Sequence, residues 1–146
     1  MKRSLVYVMI FLLFTTLVGC IHEVKAPQSA EEQDYIQKVQ SFPIKFTIPK
    51  SELPDAWGRA QSFISQYSDM KIQIATNNVI QTYNPSDSSI NIGYSVSNAP
   101  MGDNVIVTVK CLNTYIGNVK RADFNAHALA YYMKTGELIP RLLTHW

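Results

Sequence analysis

Three histidines, two cysteines and eleven carboxylates are the residues of this 146-residue chain best able to do chemistry. Their spacing decides which chemistry is open to them. His22, His127 and His145 stand far apart, and the chain has no His-x-x-x-His, no Cys-x-x-Cys and no carboxylate cluster at metal-ligand spacing. Neither a metal nor a cofactor is expected. His127 follows Phe124 by three residues and precedes Tyr131 by four, so it reads as a helix histidine beside an apolar face. Gly93, Gly102 and Gly117 are isolated; they suit turns or close packing rather than a phosphate-binding loop. The serines are numerous, but none sits in the Gly-x-Ser-x-Gly context of a nucleophile elbow. The expectation is a protein that is not an enzyme.

Cys20 has a different context. Lys2 and Arg3 give a cationic start, residues 5–14 form an almost unbroken apolar run, and Leu17-Val18-Gly19-Cys20 follows. The run suits an export signal and is short of the roughly 20 residues that span a bilayer. The ending resembles the lipobox of bacterial lipoproteins. That resemblance implies a signal peptide over 1–19, diacylation of Cys20 with palmitate-type chains, and attachment to the membrane through lipid. Ile21 occupies the position where Asp favours the inner membrane in enteric-type bacteria. The resemblance therefore implies the outer membrane, at its periplasmic face.

Charge follows from processing. The precursor carries 13 Lys and Arg against 11 Asp and Glu, and loss of Lys2 and Arg3 leaves 11 against 11. A balanced chain lacks the basic footprint of a nucleic-acid binder. With Cys20 acylated, Cys111 has no partner within the chain for a disulfide. Trp57, Tyr131, Tyr132 and Trp146 are candidate contacts for a protein partner or an apolar ligand, because rings of this kind are enriched at interfaces. The alternative is that the aromatic residues fill the core.

The elements that would position these residues are legible in the hydrophobic pattern. Residues 20–41 read as a lipidated N-terminus and tether, with a short helix over 30–39 capped by Ser29. A single α+β domain is expected over 42–146. Phe42, Ile44, Phe46 and Ile48 alternate as in a half-buried strand, which Pro43 limits to an edge. Leu53, Trp57, Ala60, Ile64 and Tyr67 share one face of a helix. Strand-like runs follow from Ile72, Val79, Ile90 and Val105, with a turn at residues 100–104. Val105, Val107, Val109 and Cys111 fall on one face, so the thiol is expected to be buried. A helix over 121–135 ends at Gly136, a C-cap glycine, and an apolar tail follows.

This order, β-α-β-β-β-β-α, predicts a two-layer α+β fold: an antiparallel sheet of about four or five strands packed by two helices. Trp57-x-x-Ala60-x-x-Phe63-Ile64, then Ile72 and Ile74 and a return strand ending in Thr82-Tyr83, resemble the helix-grip domains of the C lipoprotein of the outer-membrane β-barrel assembly machine. A ferredoxin-like or other two-layer sandwich shares the order. The functional expectation is a non-catalytic, lipid-anchored envelope protein acting as an accessory or scaffold with an envelope protein partner. The alternative is a binding module for a small apolar or amphipathic ligand between sheet and C-terminal helix.

Overall fold

In the computed structural model, which describes residues 28–143, five strands and three α-helices are built in the order α1 (Ala30–Ser41), β1 (Lys45–Pro49), α2 (Leu53–Tyr67), β2 (Ile72–Ala75), β3 (Val79–Thr82), β4 (Gly93–Met101), β5 (Asn104–Leu112) and α3 (Val119–Thr135). The strands form one antiparallel sheet in the order β1-β5-β4-β3-β2. The helices cover one face, and the fold is the two-layer α+β arrangement expected from the sequence, with a third helix added. Cys20, His22, His145 and Trp146 lie outside the described residues, as does the whole of the signal segment.

The period-two pattern sets the sheet's two faces. Phe46 and Ile48 on β1, Val105, Val107 and Val109 on β5, Tyr94 and Val96 on β4 and Ile80 on β3 point into the core. Lys45, Thr47, Thr108, Lys110, Ser95, Ser97 and Gln81 occupy the opposite face, which carries no helix layer among the described residues. Gly93 is required by packing. A Cβ there would collide with Thr82 Oγ1 and come within 3.0 Å of the Tyr83 carbonyl.

Helix α3 is the central helical element. Ala122, Ala126, Ala128 and Ala130 are buried, and such small side chains let α3 lie close to its neighbours, while Leu129 and Met133 reach full burial. Helix α2 flanks it on one side, where Arg59 Nη1 donates to the Met133 carbonyl at 3.0 Å. Helix α1 flanks it on the other, where Tyr35 and Phe42 meet the Tyr131 ring edge-on, at 5.8 and 5.7 Å between centroids.

Helix α1 moves the start of the packed unit. The sequence placed that boundary at Phe42 and read the preceding helix as a spacer, yet Tyr35, Ile36 and Val39 belong to the main core. Its N-terminus is fixed by a capping box. Glu32 N donates to Ser29 Oγ at 3.2 Å, and Ser29 N donates to Glu32 Oε2 at 3.0 Å. Glu32 also contacts Arg141 in the segment after α3. The periodicity of Tyr35, Ile36 and Val39 was visible, but one helix face does not say whether its partner is the same chain.

Several boundaries differ for local reasons. β1 begins at Lys45, leaving Ile44 38% exposed ahead of it. β4 runs on through Pro100 to Met101, and the turn tightens onto Gly102 at φ +60°. Pro100 is tolerated because β3 pairs with β4 only as far as Ser97, so no donor is needed on that side. β2 is short, and its pairing shifts between Ile72 and Ile74, a bulge that leaves both residues partly exposed. Gly136 closes α3 in the left-handed region at φ +79°, donating to the Tyr132 carbonyl at 2.8 Å.

The domain has two distinct ends. At one, Lys134 pairs with Glu52 at 2.8 Å, Lys50 N donates to the Asp103 carbonyl, and Arg141 meets Glu32. This end therefore gathers the N-terminus of α1, the start of α2, the β4–β5 turn and the end of α3. At the other end Arg121 reaches Asp69 at 3.5 Å, Thr114 Oγ1 donates to the Ser86 carbonyl at 2.7 Å, and Asn118 Nδ2 donates to the Ile90 carbonyl. These contacts tie the start of α3 to two loops, residues 83–92 and 113–118. The 17 residues of α3 separate the ends by about 25 Å.

Candidate functional site

Beneath the first half of α3, a group of polar side chains meets the sheet. Asn125 is 1% exposed, and its Nδ2 donates to the Tyr94 hydroxyl at 3.1 Å. Tyr94 lies opposite Cys111 across the β4–β5 pair. Thr82 Oγ1 accepts from Tyr94 N at 3.0 Å and donates to the Tyr83 carbonyl, closing off the sheet beside them. Arg121 and Asp69 cap the group at the domain's loop end. Asp69 also accepts from Ile92 N at 2.9 Å, which holds the segment leading into β4. Asn125 Oδ1 and Arg121 Nε are buried without a hydrogen-bond partner among the described residues.

The chemistry open to this group is narrow. Burial pushes the Cys111 thiol up to about 12; Arg121 lowers it less than burial raises it, and Asp69 adds to the rise. Burial also holds the Tyr94 hydroxyl far above its ordinary range, and the neighbouring Cys111 adds to that rise. At neutral pH both groups keep their protons, and a protonated thiol is a poor nucleophile. The strand face of Cys111 is as the valine pattern predicts, but its burial is partial. It sits next to the last residue of β5, where coverage by α3 is ending.

Slow modification by a thiol reagent is therefore expected for the native protein at pH 7, with fast modification once denaturant unfolds it. The pH dependence has a definite sign. A thiol whose folded pKa is raised lets the unfolded chain lose its proton first, so stability is intact below about pH 8.5 and falls as pH climbs from there toward 12. Urea midpoints measured from pH 7 to 10.5 should decline, and Cys111→Ser should flatten part of that decline. A native thiol that reacts as fast as the unfolded one would place Cys111 in solvent and remove the basis for this account.

Trp57, Tyr131 and Tyr132 are engaged within the fold. Trp57 is 8% exposed, and its Nε1 donates to the Thr76 carbonyl at 2.9 Å, fastening α2 to the turn after β2. Tyr131 is buried among Tyr35 and Phe42, and its hydroxyl donates to Glu137 Oε2 at 2.8 Å. Tyr132 is half-buried and tilts against Phe63. None of the three is brought to a common surface. His127 Nδ1 lies 2.6 Å from the Phe42 carbonyl, so it joins α3 to the link between α1 and β1. Val107, Val109, Leu129, Ala128, Ala130 and Met133 are all fully buried between the sheet and α3.

Exposed apolar side chains gather elsewhere. Tyr83, Ile90, Tyr115, Ile116 and Val119 all lie at the loop end, with Ile116 89% and Ile90 66% exposed. The sequence pattern placed Ile90 and Tyr83 on strands and assigned Tyr115, Ile116 and Val119 to no element. The available signal was Tyr115-Ile116-Gly117-Asn118, two large apolar residues inside a turn-like stretch where no periodic element could bury them.

Comparison with family models, curated proteins and solved structures finds no match. The likeness to helix-grip lipoprotein domains accordingly stays one of element order and residue pattern.

Proposed function

We propose that this chain is a non-catalytic, lipid-anchored envelope protein that serves as an accessory or scaffold in an envelope complex. The observation that carries the reading is the spacing between Cys20 and the Ser29 cap. Nine residues after the lipobox cysteine the packed unit begins, and nine extended residues reach about 30 Å. An acyl anchor at Cys20 would hold the whole domain close against the outer membrane, on its periplasmic face.

The destinations of the polar groups support a non-catalytic role. Trp57, Thr82, Asp69, Tyr131 and His127 are engaged in joining one element to another. Chemical crosslinking in intact cells, followed by affinity purification, tests the proposal. The expected result is one or a few discrete adducts that survive purification in detergent. Recovery of the free monomer alone, across crosslinkers of different reach, would overturn the scaffold reading.

A further inference from the structure

We propose that the loop end of the domain is a second membrane contact, one that takes the surface of an anionic phospholipid bilayer. It goes beyond the scaffold reading, because it concerns the end of the domain opposite the tether and requires no acyl chain. Ile116, Ile90 and Val119 project at 89%, 66% and 55% exposure, with Tyr83 and Tyr115 beside them. Hydrogen bonds from Asn118 to Ile90 and from Thr114 to Ser86 hold the two loops together as one surface. Aliphatic tips flanked by tyrosine rings match the depth profile of a bilayer interface, where the rings sit at headgroup level.

Charge selects the bilayer over other occupants. Lys71, whose carbonyl accepts from Tyr83 N, Lys110 just before the second loop and Lys120 after Val119 are all exposed, and none makes an ion pair among the described residues. Of the three carboxylates at this end, Asp69 is engaged by Arg121 and Ile92 N, and Asp123 lies 3.8 Å from His127 Nε2, which leaves Asp87. The opposite end carries Glu31, Glu32, Glu52, Asp55, Asp103 and Glu137 against Lys50, Arg59, Lys134 and Arg141, so acidic groups prevail there. An electrically balanced chain is thus polarised along its length, with three lysines that make no ion pair among the described residues beside its exposed apolar residues. A second copy would set these three lysines against their own kind, whereas anionic headgroups attract them. Reach also allows it, given the anchor at Cys20: a tether of about 30 Å matches the 25 Å length of α3, so the tip and the acyl chains can share one membrane.

The test uses the mature chain with Cys20→Ser, which carries no lipid, and vesicles of phosphatidylglycerol and phosphatidylethanolamine. Co-sedimentation is expected with these vesicles and not with pure phosphatidylcholine, and it should weaken with salt. Ile116→Asp should reduce partitioning on the order of tenfold. Joint replacement of Lys71, Lys110 and Lys120 by Gln should reduce it about a hundredfold. Thermal unfolding of each variant should match the parent, since all four side chains are exposed. Absence of binding to the anionic vesicles, or equal binding by parent and variants, overturns the proposal. A dimer that Ile116→Asp dissociates would assign the surface to a second copy and overturn it as well. Because no acyl chain is present, these outcomes are separate from those of the crosslinking experiment.

Discussion

A Phe63→Ala chain is expected to lose about 3–5 kcal/mol of stability, the range for truncating a buried phenylalanine. Phe63 is 1% exposed and stands where α2, α3 and the sheet converge. Its ring meets Tyr94 of β4 at 5.6 Å, Tyr67 of its own helix at 5.1 Å and Tyr132 of α3 at 6.3 Å. Truncation removes three aromatic contacts and opens a cavity walled by both long helices and β4. Domains of this size have total stabilities of about 5–15 kcal/mol, so the loss is a large fraction of what holds the fold. The unfolding temperature should drop on the order of 10–20 °C, read by circular dichroism together with a urea midpoint. A change below about 1 kcal/mol would mean that the three elements do not meet at Phe63.

Cys20→Ser carries the largest expected effect on location. The variant should incorporate no radioactive palmitate, remain an unprocessed precursor and lose lipid-mediated attachment. Each buried methylene of an acyl chain contributes about 0.8 kcal/mol, and two chains together give stable anchoring, so removing their point of attachment is an all-or-none change. Continued palmitate labelling of the variant would relocate the anchor to another residue and undo the membrane-proximal reading.

The sheet and the two long helices were legible because their burial is one-sided. Val105, Val107 and Val109 alternate with residues facing away from the core, and Leu53, Trp57, Ala60 and Ile64 recur at helical spacing. Either pattern can be read without knowing what covers it. The docking of α1 was not legible, because Tyr35, Ile36 and Val39 would look the same on a free amphipathic spacer. Cys111 was assigned the right face and too much depth: alternation gives orientation but does not say where a covering helix stops. Trp57 and Tyr131 looked like contact residues because aromatic composition carries no information about a partner as near as the Thr76 carbonyl or the Glu137 carboxylate. The loop end escaped for the opposite reason. Its side chains belong to no period, and only the fold brings Ile90 beside Asn118.

The pairing of β1 with β5 has a consequence for how the chain acquires its structure. Lys45 lies opposite Thr108, and Tyr35 packs on Tyr131, so the earliest elements find their partners only among the last. A chain threaded through a translocation pore with its N-terminus leading presents α1, β1 and α2 well before α3, on which both flanking helices rest. Until α3 emerges those apolar faces stay uncovered, and closing such distant contacts is slow. On the proposed export route the nascent protein would therefore stay extended and threadable for most of its passage, exposed to holdases and proteases for as long. Compaction must await the final forty residues, which makes the C-terminal helix the timer of the whole process.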